Sequence, residues 1–457
     1  MGEQPNPTPL FPDDFAWGVI SSAFQWEGAA FEDGKGPSIW DMRTRQPGAI
    51  ADDAKLDVSA DGYHRFEEDV ALMKRIGVRA HDLSISWPRV LPEGTGTPNP
   101  KGLDFYERLI DTLLEAGIEP WVDLYHWDMP LALYDRGGWL NRDIAEWFSA
   151  YATLIAERFS DRVSRWLTFT EPQLTVGMFH NVGSPSATWP MAEVLRAAHN
   201  LLRAHGMAVQ AIRAAGNQAV RIGYSPDATV RMPASNLPED VEKARQATFS
   251  IVRKDVQNNA WWSDPMFLGR YPEDGWELFG ADVPEIKAGD MEVIGQPLDF
   301  YGVNLYSDYR VRGTPDGGFE RIPDPPGVPM NSLGWPIRPE VMYWGPRFFF
   351  ERYGKPIVIT ENGLASHDWV ALDGAVHDPL RIDFIRRYLL ELERAIADGV
   401  PVDGYFHWTW VDSFECGVGF QTRFGMVHCD FVTLERTLKD SAYWYGEVIR
   451  TNGASIH

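Results

Sequence analysis

Two short runs in the sequence carry residues fit for chemistry, WLTFTEP at 166–172 and PIVITENG at 356–363. Each is apolar and β-prone, and each runs into a glutamate: Glu171 in the first, Glu361 in the second. A single strand-end glutamate is ordinarily an ion-pair partner. Two that converge can divide a harder task. One, protonated, donates to a departing oxygen, while the other, ionised, attacks the carbon that the oxygen leaves. That division splits a glycosidic bond with retention when the carboxyls stand roughly 5–5.5 Å apart. It requires surroundings that push the two pKa values apart.

Something must bring these distant side chains together, and the pattern of the chain supplies it. Short β-branched or aromatic runs suit buried parallel strands. Eight of them recur: FAWGVIS (15–21), VRAHDLS (78–84), EPWVDLYH (119–126), RWLTFTE (165–171), AVRIGYS (219–225), LDFYGVN (298–304), PIVITE (356–361) and DGYFHW (403–408). Between them lie amphipathic stretches at 62–77, 103–117, 143–160, 193–216 and 379–399, the first two closing on Gly77 and Gly117 as helix stops. Strands alternating with helices imply an α/β fold, a (β/α)8 TIM barrel. A doubly wound sheet shares the alternation, but no Gly-rich phosphate turn follows any strand. Long connections at 26–60, 172–192, 226–256, 306–340 and 409–440 are rich in Gly, Pro, Asp and Trp. In a barrel they are expected at the C-terminal face, as walls of a cleft. No linker composition breaks the chain, so residues 1–457 are expected to form a single barrel domain.

Composition narrows the function. The formal charge is −23, from 42 basic and 65 acidic residues, which excludes nucleic acid and anionic membranes as natural partners. Two cysteines, Cys416 and Cys429, make no disulfide framework, and no Cys/His cluster has metal-ligand spacing. No metal or other cofactor is expected. The start, MGEQPNPTPLFPDDF, lacks a basic segment followed by an apolar run, and no apolar stretch approaches the length of a membrane span. A cytoplasmic protein is the expectation. Nineteen Trp exceed what a core of this size requires, and flat aromatic faces suit sugar rings.

The strand tips agree. In chain order they lead to Gln25, then His126 and Trp127, then Glu171, then Asn304 and Tyr306, then Glu361, and last Trp408 with Glu415 in the loop beyond. A barrel gathers such tips at one end. Two acids, several hydrogen-bonding groups and flat aromatics are what holding and splitting a sugar needs. The sequence also resembles glycoside hydrolase family 1, the β-glucosidase-like retaining enzymes, along nearly its whole length. The likeness is carried by FPDDFAWGVISSAFQWEGA (11–29), LYHWDMP (124–130), TFTEP (168–172), DFYGVNLY (299–306), ITENG (359–363), GYFHWTWVDSFE (404–415) and GFQTRFG (419–425). The resemblance implies Glu171 as acid/base, Glu361 as nucleophile and Tyr306 as the residue that orients Glu361. It implies Gln25, His126, Trp127, Asn304, Trp408 and Glu415 as sugar-binding residues. The retained Glu415 and the negative charge point to a free sugar over a 6-phosphosugar.

Three positions depart from that pattern. Thr170 stands where the family has an Asn that contacts the sugar's 2-hydroxyl, so Thr170 joins the substrate-binding set with a shorter reach. Asp82, in HDLSISWPR, stands where the family has an Arg beside the nucleophile, and an anion there should raise the coupled pKa values. Arg79, three residues earlier, should point to the opposite face of its strand. Cys416 replaces a Trp and should leave the sugar pocket roomier. The expected function is a retaining β-glycosidase acting on a small glucoside-like glycoside. Asp82 and Thr170 also admit an amino sugar, and a weakened carbohydrate-binding barrel or a transglycosylase are the alternatives.

Overall fold

The computed structural model describes residues 11–177, 189–216 and 219–457. Residues 1–10, on which part of the leader expectation rests, and 178–188 of the expected cleft wall lie outside them. All eight anticipated strands are present: β1 (Ala16–Ser21), β2 (Ala80–Ser84), β3 (Glu119–Asp123), β4 (Arg165–Thr170), β5 (Arg221–Ser225), β6 (Tyr301–Asn304), β7 (Ile357–Asn362) and β8 (Val402–Trp408). They pair in parallel in the order β5-β4-β3-β2-β1-β8-β7-β6. Irregular bonds close the ring between β5 and β6, with Asp299 N donating to Ile222 O at 2.8 Å and Asn304 N to Pro226 O at 3.0 Å.

Helices cover the outside: α1 (Gly62–Ile76), α2 (Pro100–Glu115), α3 (Ile144–Phe159), α4 (Met191–Ala215), α5 (Ala260–Leu268), α6 (Val341–Tyr353), α7 (Pro379–Ala397) and α8 (Asp440–Arg450). Their apolar stripes explain the choice of helix. In α2, for example, Phe105, Leu109, Ile110 and Leu113 are buried at helical spacing. Gly77 ends α1 at φ 85, its N–H donating to Met73 O at 3.0 Å, as a left-handed helix stop should.

The barrel interior is layered. Its N-terminal end is plugged by Ala80, Trp121, Leu167, Phe300, Val358 and Phe406, all buried. The Trp121 and Phe406 rings lie 4.7 Å apart. Gly18 makes room for this plug, since a Cβ there would stand 2.4 Å from the Phe406 ring. Toward the C-terminal end, side chains turn polar. A small sheet of Met232–Pro233, Arg310–Gly313 and Phe319–Arg321 is an addition that the sequence did not signal. Its strands are two to four residues long, too short for any period to register. The connection at 26–60 contributes no residue to the central cavity. It braces the turn after β1 instead. Glu27 accepts from Arg89 Nε at 2.7 Å, and both side chains are buried. Arg89 Nη2 also donates to Gly28 O at 3.0 Å and its guanidinium lies over the Tyr63 ring. Among the described residues, no helix is long and apolar enough to cross a membrane.

Removing one partner of a buried ion pair leaves the other charge stranded, at about 3–5 kcal/mol. Arg89→Met should therefore lower the urea midpoint of unfolding by that equivalent, with a larger loss than any single exposed pair, such as Arg387→Met, produces.

Candidate active site

The strands that deliver the two glutamates are both irregular just before them. β4 shifts register against β5 between Leu167 and Thr170, and β7 shifts against β6 between Ile359 and Glu361. A bulge re-aims the side chain that follows it. Glu171 then takes φ 47, in the left-handed region where non-glycine residues are uncommon, held by its N–H to Ser225 O at 2.7 Å. Trp127, at φ 75, is bent likewise off the end of β3. The Asn-Gly after Glu361 is also explained: a Cβ on Gly363 would stand 2.0 Å from the Trp408 carbonyl oxygen.

Glu171 and Glu361 line one cavity of about 550 Å³, together with Gln25, His126, Trp127, Tyr306, Trp408 and Glu415. Both glutamates are buried, at 5% and 4% exposure. Tyr306 donates its hydroxyl to Glu361 Oε2 at 2.8 Å. Asn304 donates Nδ2 to Glu171 Oε1 at 2.9 Å, and its amide also draws the Glu361 pKa down. The Asn304 carbonyl is pinned from behind by the hydroxyls of Ser225 at 2.6 Å and Thr360 at 2.8 Å. One amide thus serves both acids. Trp408 donates Nε1 to Glu415 at 3.3 Å and stacks on His126 at 5.6 Å, giving the cavity a flat floor. Gln25 donates to Phe414 O at 2.7 Å, and its other polar atom, buried, has no protein partner.

Burial and the Glu361 charge, with Asp227 adding to them, raise the Glu171 pKa well above the carboxylate range. Burial raises Glu361 as well; the Tyr306 phenol opposes this, while Asp82 and Asp123 reinforce it. Both acids are thus held toward the protonated form, and of the two Glu361 has the phenol that favours its anion. Glu415 is pushed up to about 8 by burial, and Asp227 to about 6 by burial and Asp308. His126 is held down near 3 by burial and is neutral.

The three departures fall in different places. Cys416 lines the cavity beside Val418. Thr170 and Asp82 are wholly buried behind the pair and are not part of the cavity wall. Thr170 O accepts from Trp127 Nε1 at 3.1 Å, and its hydroxyl lowers the Asp123 pKa. Arg79 is at the other end of the barrel, bonded to Ile449 O at 3.0 Å. Sequence reasoning missed Asp123 and the outer wall of Leu174, Asp227, Tyr309, Leu333 and Trp335. Asp123 did carry a signal, an acid two residues beyond the inward Trp121 at the buried end of its strand. The wall residues lie in loops without periodicity and carried none.

Comparison with known proteins fits this geometry. The family model described as glycosyl hydrolase family 1 matches residues 8–454. The chain belongs to glycosyl hydrolase family 1. It is 41% identical over 446 residues to beta-glucosidase A of Thermotoga maritima, covering 97% of this chain and 98% of that protein. It is 42% identical over 459 residues to beta-glucosidase A of Acetivibrio thermocellus, at 97% and 99% coverage. The solved structure of the Thermotoga maritima beta-glucosidase in complex with glucoimidazole superposes with a TM-score of 0.88 at 41% identity, over 97% of this chain and 99% of that one. The protein is accordingly a glycosyl hydrolase with the family's barrel.

A hydrogen bond to a charged group contributes about 1.5–3 kcal/mol, or about 10- to 100-fold in rate. Tyr306→Phe should lower kcat/KM by that factor. Because the phenol holds the Glu361 pKa down, its loss should also move the acidic limb of the pH profile to higher pH.

Proposed function

We propose that the protein is a retaining β-glycosidase for a free, glucoside-like sugar, built as one catalytic domain. The observation that carries this reading is the shared cradle of the two glutamates, with Tyr306 on Glu361 and Asn304 on Glu171. In the first step Glu361 Oε1, the oxygen without a protein partner, attacks the anomeric carbon. Glu171 gives its proton to the glycosidic oxygen and the aglycone departs. In the second, Glu171, now ionised, takes a proton from water, which displaces Glu361 and restores the starting configuration. Gln25, His126 and Glu415 supply polar contacts to the sugar, Trp127 an aromatic wall and Trp408 its stacking face. Thr170 and Asn304 act from behind the pair.

The single arginine among the described cavity-lining residues, Arg321, is paired with Asp324, so the cavity offers no cluster of cations to a 6-phosphate. A barrel that only bound saccharides would need the aromatic floor but no phenol on a buried carboxylate. The amino-sugar reading draws on one observation, that neither oxygen of Asp82 has a protein partner. Its position behind the cavity wall favours the neutral glucoside.

With an aryl β-glucoside, Glu361→Ala should abolish turnover, and added azide should restore it with an α-glycosyl azide as product. Glu171→Gln should slow substrates with poor leaving groups by about 10²–10⁴-fold while sparing a dinitrophenyl glucoside. Equal behaviour of both variants and the wild type would overturn the assignment. Side-by-side rates on β-glucosides and β-glucosaminides should favour the glucoside; a preference for the amine would reinstate the amino-sugar reading.

A further inference from the structure

The inward residues of β2 climb from the aromatic plug as Ala80, Asp82 and Ser84, and those of β3 as Trp121 and Asp123. Strand alternation puts both aspartates on the barrel's inner face. Both are completely buried. Below them lies the Trp121–Phe406 ring contact, and above them Glu361, whose pKa each of them raises.

The titratable groups of the surrounding elements offer no compensating charge. His126, beyond β3, has Nδ1 3.7 Å from Asp123 Oδ2 but is neutral. His81 on β2 and His407 on β8 are neutral too, engaged with Ser21 Oγ and Phe424 O. Glu171 on β4 and Glu361 on β7 are acids, and Tyr306 beyond β6 is a phenol. Among the described residues, no Lys or Arg is ion-paired to either aspartate. Each further negative charge in such a cluster is costly without a cation, so Asp82 and Asp123 favour a state with one charge between them.

The donors around them decide which keeps the charge. Asp123 Oδ1 accepts from Tyr125 N at 3.0 Å, a donor that opposes the burial raising its pKa to about 7. The two oxygens of Asp82 receive no bond from the protein. A carboxyl with donors carries charge more cheaply than one with none.

We propose that Asp82 is a positioning residue that stays a neutral acid at working pH, while Asp123 carries the single charge of the pair and is what Glu361 meets from below. The reading rests on Glu361 as nucleophile. The nucleophile then ionises against an anion instead of beside a cation, so the enzyme should lose activity on acidification earlier than an arginine-backed site would.

The test uses the full chain with a dinitrophenyl β-glucoside, whose leaving group does not need Glu171, and follows the acidic limb of kcat/KM. Placing a cation beside a carboxylate lowers its pKa by about 1–3 units. Asp82→Arg should lower the limb by that amount. Asp123→Asn, which removes the charge, should lower it by about one unit, and Asp82→Asn, which removes only the proton, by less. In a Glu171→Gln/Glu415→Gln background, which removes the other protonated acids of the site, infrared difference spectra near neutral pH should show a protonated carboxyl band that Asp82→Asn removes and Asp123→Asn keeps. A larger limb shift in Asp82→Asn than in Asp123→Asn, or a band that survives Asp82→Asn, would overturn the proposal. Should the aspartate variants fail to fold, the Glu171→Gln/Glu415→Gln protein by itself should retain a protonated carboxyl band, and its absence would equally overturn it. Failure of a 2-deoxy-2-fluoro glucoside to label Glu361 would instead sink the nucleophile assignment, leaving the infrared result to stand on its own.

Discussion

Buried carboxyl groups packed at one end of the barrel, none of them ion-paired to a Lys or Arg among the described residues, are the constraint on which this molecule turns. Glu171, Glu361, Glu415, Asp227, Asp82 and Asp123 all have pKa values raised first by burial. Removing ionised carboxylates from water is costly unless partners compensate. Here the partners are neutral donors: a phenol, an amide, an indole and a hydroxyl. Such donors stabilise a negative charge less than a guanidinium would, so protons are retained and the acids separate into holders and losers of protons. Acid/base chemistry depends on that separation.

The scaffold makes the arrangement durable. Parallel strands end together at one face, and bulges in β4 and β7 turn their last side chains toward each other. Asn304 then ties the ends of three strands into one polar unit, because Ser225 on β5 and Thr360 on β7 hold its carbonyl while its amide faces Glu171. The apolar plug beneath closes the interior to water, which strengthens every electrostatic interaction above it. The braced turn at Glu27 and Arg89 fixes Gln25 at the rim in the same rigid manner.

Within glycosyl hydrolase family 1, the departures at Asp82 and Thr170 form one unit with Asp123. The Thr170 hydroxyl favours the Asp123 anion, and Asp123 in turn raises Asp82 and Glu361. A cation at position 82 would meet Asp123 and Glu361 together, so the side chains at 82 and 123 are energetically linked. Cys416 is separate: it belongs to the wall of the cavity near Glu415, where size matters more than charge.

The sequence by itself determined the barrel and the strand tips that carry its two buried glutamates. Strand and helix periods are local properties, and parallel strands separated by helices have few ways to close. Glu171, Glu361 and the residues at the other strand tips were legible because a barrel sends every strand's C-terminal end to the same face. Alternation along β2 likewise placed Arg79 away from the nucleophile, where it is found at Ile449. What only the tertiary structure decided is which of these residues line the cavity and which stand behind its two glutamates. Thr170 is turned behind the pair by the bulge before it, and a bulge reverses the two-residue alternation on which a sequence argument relies; Asn304 is held there by Ser225 and Thr360 from the neighbouring strands. The link between Asp82 and Asp123, and the outer wall with Asp227 and Trp335, depend on contacts between strands and loops far apart in the chain. No local pattern of charge or hydrophobicity encodes such contacts.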